Sequence, residues 1–490
     1  MNATAATLER RALSLGTANA IDYAFQFMLP MVLTRTLDPH SFGEYRLLWL
    51  AVSTLMMVTP MCMPPSLYYF LPRSDRPTQR LYINQTLIFM VFAGLVSAWA
   101  LSLWNPFLPG KFEAINEGHG IVVPAFVLLW VFAMVLDILP TAEERVSWQA
   151  KVIVSLSATR AVALSAAAIV TRELAPVLWV LLAFTGLKAA ILIHYVAKYH
   201  GLGAPFFRKD TFSAQVRQAA PFALSGTLHG VRAQADQWIA ASLFSVSMFA
   251  SFSIATVLAP MVQIFRESVN HVFLPSMSRL QSTGDFQGML GLNNRANAMV
   301  ALLAYPLLAF AFVFADPLIT LVYTSAYLDA VPVLRIYAVA LVAFVVELTS
   351  ILFVLGQGPF AARVNATVLV ISLPLSYYGA VHWGLQGAAF GSVAAVYSER
   401  LLSLGRIARL TGTPVARLQN WTTLAGILAA AAIAAAAAGL ALHGFELHPL
   451  ARLAAGAGLV AIVYPMALLL TGQRQELSEF LTAVFHRSRT

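Results

Sequence analysis

Fourteen apolar runs follow one another along the chain, each close to the roughly 20 residues a helix needs to cross a bilayer. They lie at about 12–34, 46–70, 84–107, 121–140, 152–171, 175–197, 219–244, 248–274, 297–322, 332–356, 363–382, 385–405, 421–442 and 450–471. The pattern predicts an all-α integral membrane protein of about fourteen transmembrane helices. Two six-helix bundles are expected over 1–200 and 219–410, joined by a basic cytoplasmic linker at 201–218, with two more helices and a tail over 411–490. The first run follows Arg10 and Arg11 and is too long, without a small-residue cleavage site, for a removable signal peptide. It reads as a retained span.

A faint internal repeat supports the division. Leu33 to Leu50 (LTRTLDPHSFGEYRLLWL) aligns without gaps against the segment from Ala240 onward (AASLFSVSMFASFSIATV), an offset of 207 residues. Each segment holds a span end, a short turn and the start of the next span. An offset of six spans, an even number, gives the two halves one orientation, related by an axis along the membrane normal.

Composition sharpens this. Only 11% of the 490 residues are charged and 59% are hydrophobic, whereas a soluble protein carries about 25% charged residues. The single cysteine, Cys62, excludes an internal disulfide or a multi-cysteine metal site. The net charge of +9 is explained by where the cations fall. Twenty, from Arg10 and Arg11 through Arg487 and Arg489, lie on the side of the N-terminus, and six (Arg35, Arg46, Lys111, Arg172, Arg335 and Arg452) lie opposite. That bias puts both termini in the cytoplasm and leaves no need for a nucleic-acid partner. The chain has no phosphate loop, no HExxH and no nucleophile elbow. ATP hydrolysis is not expected, nor is any enzyme or bound cofactor.

The candidate chemistry lies in charges inside the spans, which are costly in lipid and normally face a partner or a cavity. Arg232 and Asp236 are spaced i, i+4, close enough to pair on one helix face, and Arg232 sits about 20 Å into its span at 1.5 Å per residue. Arg160, Lys188 and Arg266 complete a cationic set. Arginine suits phosphate and carboxylate because its planar fork makes two parallel hydrogen bonds. One reading is a positively charged cavity that accepts an anionic substrate. The other is local pairing with Asp236, Glu267 or Asp137 that only fixes helix packing. Lys188 is near enough to the cytoplasmic end to snorkel, and Glu399 and Arg400 are expected at a helix end. Asp22 and Glu347 are candidates for coupling to a proton or sodium gradient, with polar packing as the alternative.

Several stretches resemble the polysaccharide-type lipid-linked oligosaccharide flippases (O-antigen or exopolysaccharide flippases) of the multidrug/oligosaccharidyl-lipid/polysaccharide exporter superfamily. They are LTRTLDPHSFGEY at 33–45, the Arg232–Asp236 span followed by FASFSIATVLAP, VFLPSMSRL at 272–280, ADPLITLVYTSAYLDAVPVLRIYA at 315–338 and GLQGAAFGSV at 384–393. The resemblance implies alternating access in the bacterial inner membrane. It also implies an undecaprenyl-diphosphate-linked glycan moved from the cytoplasmic to the periplasmic leaflet, alongside a polysaccharide polymerase and a chain-length regulator. The cationic set fits the cationic lumen of such relatives, although Ala250 stands where many carry glycine. A drug/cation antiporter of the same superfamily is the nearest alternative; it usually has twelve spans and an acidic cavity. A membrane-embedded glycan polymerase or ligase needs a sizeable periplasmic loop, and a scaffold gives no reason for cations at several depths.

Overall fold

The computed structural model describes residues 2–106, 110–201, 203, 205–474 and 478. The expected cytoplasmic cations Arg487 and Arg489 lie outside the described residues. Within them every regular element is helical. In chain order the α-helices are α1 Asn2–Thr36, α2 Pro39–Val58, α3 Met63–Phe70, α4 Arg76–Ala100, α5 Gly110–His119, α6 Val122–Ala133, α7 Val135–Ala142, α8 Val146–Thr171, α9 Leu174–Tyr199 and α10 Lys209–Leu243. They continue as α11 Val246–Ala255, α12 Leu258–Ser282, α13 Phe286–Val313, α14 Ala315–Val322, α15 Ala330–Phe344, α16 Thr349–Val354, α17 Gly358–Ala388, α18 Phe390–Thr411, α19 Val415–Leu418, α20 Trp421–Ala441 and α21 Pro449–Leu470.

Among the described residues, nine helical segments are long and apolar enough to cross a membrane, or ten if the pair Pro39–Val58 and Met63–Arg73, bent by 40°, counts as one span. The other expected spans are helical too, but they are short or carry internal charges. Arg232 and Asp236 are in α10, Glu399 and Arg400 in α18, and α15 has 15 residues. Several expected spans are interrupted, among them 46–70 between α2 and α3, 121–140 between α6 and α7 and 248–274 between α11 and α12. The run at 332–356 breaks between α15 and α16 around Glu347, and 297–322 breaks at Phe314, its helix starting earlier because Asp285 caps it by accepting from the Gly288 N–H at 2.8 Å.

The chain divides into two compact units, Met1–Val231 and Arg232–Thr490. In the first, α1 packs on α8, α4 on α6, and α9 on both α6 and α8. The α10 residues of this unit are held by polar bonds. Buried Gln215 donates to the Ser66 and Thr86 hydroxyls at 2.8 Å each, and the Thr227 hydroxyl donates to the Met57 carbonyl.

In the loop between α7 and α8, Glu143 accepts from the Tyr195 hydroxyl and pairs with His200, while the Arg145 guanidinium lies 3.5 Å from the Tyr199 ring centre. Burial pushes the Glu143 carboxyl up, but the hydrogen bonds from His200 and Tyr195 and the charges of His200 and Arg145 outweigh it and hold it below the ordinary glutamate range. A carboxyl depressed by folding contributes stability above its unfolded value and loses it as pH falls through the folded one. Thermal unfolding is therefore expected to become acid-sensitive below about pH 4, and Glu143→Gln to blunt that sensitivity. Equal acid sensitivity in the two proteins contradicts this.

In the second unit α17 packs on α18, α12 on α13, and α13 on α20, which pairs with α21. The alanine run of α20 gives a small-sided surface for close approach, and Ala434 and Ala438 bury Phe314 with Leu453 and Val460. The chain reverses at Gly384, whose φ of 65° is in the left-handed region. Beyond it Gly387 comes back against Gly379 so closely that a methyl group on either would run into the other's carbonyl.

The repeat has a structural counterpart. Thr36, Asp38 and Pro39 are the end of α1, an N-cap and the start of α2; Leu243, Ser245 and Val246 do the same 207 residues later for α10 and α11. Asp38 accepts from the His40 and Ser41 N–H groups and Ser245 from that of Met248, so each junction satisfies helix-start donors with a side chain.

Candidate functional site

Within the first unit α1, α6, α7, α8 and α9 surround a cavity of about 330 Å³. Asp22 enters it from α1 and Arg160 from α8, 3.5 Å apart. Ser157, one turn before Arg160, donates to the same carboxylate oxygen, and Gln26, one turn after Asp22, donates to the other at 2.7 Å. Asp22 therefore has three partners, of which Arg160 is the most distant. Lys188 on α9 reaches Asp137 on α7 at 2.8 Å and lies 5.2 Å from the Trp130 ring centre. It is buried in this pair, so it does not snorkel: a carboxylate within reach is a better partner than a distant interface. The charged residues lining the cavity are two acids and two bases, and they balance.

Arg232 and Asp236 lie in the second unit, and their expected pairing does not occur. Arg232 Nη1 is 2.9 Å from Glu399 Oε2 on α18. Asp236, 3% exposed, accepts from the hydroxyls of Tyr337 on α15 and Ser392 on α18, and from the Gln237 N–H at 2.8 Å. Four residues separate Arg232 from Asp236, and seven separate Ser392 from Glu399. The order is reversed, as for helices packed antiparallel, so α18 offers each group its own partner. In a medium of low dielectric two separately satisfied groups outcompete one exposed i, i+4 pair. Glu399 and Arg400 are correspondingly in the interior of α18 and not at a helix end; Arg400 is buried and 3.4 Å from Glu399.

Arg266 on α12 pairs with Glu347 at 2.9 Å. The helix ending at Phe344 leaves terminal carbonyls without intrahelical donors. Arg266 donates to that of Phe344 at 3.3 Å and Arg400 to that of Ala343 at 3.4 Å, both guanidinium groups lying over the Phe344 ring at 3.8 and 5.7 Å. Positive charge at a helix C-terminus is also favourable for the dipole. Glu347 serves the other side of the break. Its carboxylate accepts from the Ser350 N–H and its own N–H donates to Asn297, each at 3.0 Å, and Asn297 donates to Gln419 at 3.0 Å. Glu267 is exposed and accepts from Gln263, pointing away from Arg266 as adjacent helical positions do.

All four candidate cations thus meet a carboxylate, Arg160 and Lys188 in the first unit, Arg232 and Arg266 in the second. Sequence reasoning missed Ser157, Gln26, Gln149, Tyr337 and Ser392, because it collected only ionisable residues within the spans and these are uncharged. Among the described residues no group of three or more His, Cys, Asp or Glu is placed to hold a metal ion.

Comparison with solved structures places the fold. The lipid II flippase MurJ, in an inward closed conformation, superposes with a TM-score of 0.70 at 11% identity, over 94% of this chain and 98% of that one. An inward-facing multidrug resistance MATE family transporter of the MOP superfamily gives 0.62 at 13% identity, over 80% and 96%. A MOP superfamily transporter from Pyrococcus furiosus, described as having a binding pocket of reverse polarity, gives 0.53 at 13% identity, over 84% and 95%. No curated protein sequence matches the chain. The profile of the polysaccharide biosynthesis protein family matches residues 32–332. With more than half of its length covered by that match, and with the helical membrane fold of MurJ and the MATE transporters, the chain belongs to the polysaccharide biosynthesis protein family.

Proposed function

We propose that this protein is a flippase that carries an undecaprenyl-diphosphate-linked glycan from the cytoplasmic to the periplasmic leaflet of the bacterial inner membrane. It does so by alternating access, through fourteen passes in two bundles with both termini cytoplasmic. The observation that carries the reading is the polar cavity among membrane-length helices of the first unit, in a chain of the polysaccharide biosynthesis protein family.

Self-paired charges change how such a cavity works. An anionic headgroup has to draw a cation away from its acid, and Arg160 is the one released most cheaply. Asp22 keeps Ser157 and Gln26 when Arg160 turns away. Lys188 has a shorter bond to give up. Protonation of Asp22, or a sodium ion beside it, frees Arg160 in the same way, which gives Asp22 a coupling role. Glu347 is less suited to coupling, because neutralising it strands Arg266 and loosens a helix break. Arg232 and Arg266 contribute by holding α10, α12, α15 and α18 in register, with Asp236 anchored to two hydroxyls.

A second reading, a drug/cation antiporter, draws on the MATE-like fold and on the Asp22 and Asp137 carboxylates in the cavity. Vesicles reconstituted with the protein distinguish the two by what they move: a short-chain fluorescent polyprenyl diphosphate saccharide, or an organic cation.

A further inference from the structure

We infer that Gln149 is the residue that reads the sugar: its carboxamide oxygen receives an O–H or N–H of an uncharged saccharide ring seated at the Asp137–Lys188 end of the cavity. The inference rests on the flippase reading and names the part of the substrate this end recognises.

Gln149 is on α8 and is 1% exposed. Its amide NH₂ faces the main-chain carbonyl of Asp137 at 3.4 Å, which fixes its orientation, since only a donor can face a carbonyl. Its Oε1 has no hydrogen-bond partner. A buried acceptor left unmade is costly, and the residue that carries it is one of those lining the cavity. The position is suited to a donor that arrives with the ligand.

The ligand class follows from the neighbours. The two ion pairs balance, so this end offers no surplus charge to an anion. The uncharged polar group at this end is the Gln149 carboxamide, of the kind that meets hydroxyl groups, whereas Gln26 and Ser157 are engaged with Asp22 at the other end. Trp130 adds an apolar edge beside Lys188, and it is held rigidly, edge-on to Trp49 at 5.1 Å, with its indole N–H directed at Met56 sulfur. A cavity near 330 Å³ is at the small end of the usual range of about 300–1,000 Å³. It fits a single sugar residue better than a whole repeat unit. Arg160 lies eleven residues further along α8, about 16 Å of axial rise. The diphosphate and the sugar therefore have separate stations on one helix.

A site built to hydrogen-bond a ligand group discriminates strongly against the analogue that lacks it, because its own polar atom is then stranded. The test uses proteoliposomes and three fluorescent polyprenyl diphosphates bearing a hexose, an N-acetylhexosamine or a deoxyhexose. Wild type is expected to transport at least one of the first two about 10-fold more efficiently than the deoxy form, with the difference in KM. Gln149→Leu should erase that preference, and Gln149→Glu, which keeps an acceptor, should retain it. Thermal unfolding confirms that both variants fold; should Gln149→Leu not fold, Gln149→Met takes its place. A folded Leu or Met variant that still discriminates as wild type does overturns the inference and leaves the flippase reading intact. It would mean that water alone satisfies Gln149. A wild type that transports all three alike overturns the inference alone, and one that transports none of them overturns both.

Discussion

Glu347→Ala is expected to destabilise the protein severely. The substitution removes the carboxylate that pairs with Arg266 and the acceptor of the Ser350 N–H in the same step. Breaking a buried ion pair by deleting one partner costs about 3–5 kcal/mol, because the remaining charge is left uncompensated. Glu347 is 3% exposed, so water does not substitute for it. The melting temperature of purified protein in detergent should fall by several degrees or more, with reduced yield from membranes. Glu347→Gln, which keeps an acceptor for Ser350, should fall less. The paired change Arg266→Met with Glu347→Leu should recover part of the loss, since exchanging both partners for apolar groups of similar size is often close to neutral. A Glu347→Ala protein as stable as wild type contradicts this account of the helix break.

Arg160→Gln is expected to act in the opposite manner, abolishing most transport while leaving the fold in place. Asp22 retains the Ser157 and Gln26 bonds, so little stability depends on the 3.5 Å contact with Arg160. What is lost is a charged donor for the headgroup. A hydrogen bond to a charged group contributes about 1.5–3 kcal/mol, which corresponds to a drop of about 10- to 100-fold in transport efficiency. Arg160→Lys should restore part of it, and less than fully, because an ammonium lacks the fork that grips phosphate. The measurements are the initial transport rate and the melting temperature on one preparation. A variant with a normal melting temperature and a normal rate removes Arg160 from the substrate path.

Much of the helical framework was legible from periodicity. Helix runs through the apolar stretches, the turn at Gly384 falls between the expected spans 363–382 and 385–405, and the paired junctions at Asp38 and Ser245 lie where the repeat puts a short turn. The charged positions were legible as well, because a charge within an apolar run stands out. Most of their partners were not. Asp137 is a pairing candidate in the sequence, and Lys188 finds it at 51 residues' separation, but Arg160 finds Asp22 at 138, a distance across which hydropathy carries no information. Arg232 shows the hazard of local reasoning: Asp236 was one turn away, yet Glu399, Tyr337 and Ser392 were better placed once α15 and α18 had packed. The break at Glu347 was concealed because its carbonyls find donors in Arg266 and Arg400 from other helices and in the Val346 N–H, so no glycine or proline was needed within it.

The central claim is that the protein moves a lipid-linked glycan, and it is tested by reconstituting it into vesicles loaded on one leaflet with a fluorescent polyprenyl diphosphate saccharide. The account predicts translocation well above protein-free vesicles, lost in Arg160→Gln. No translocation of the saccharide lipid, together with uptake of an organic cation that depends on Asp22, would contradict it and establish the antiporter instead.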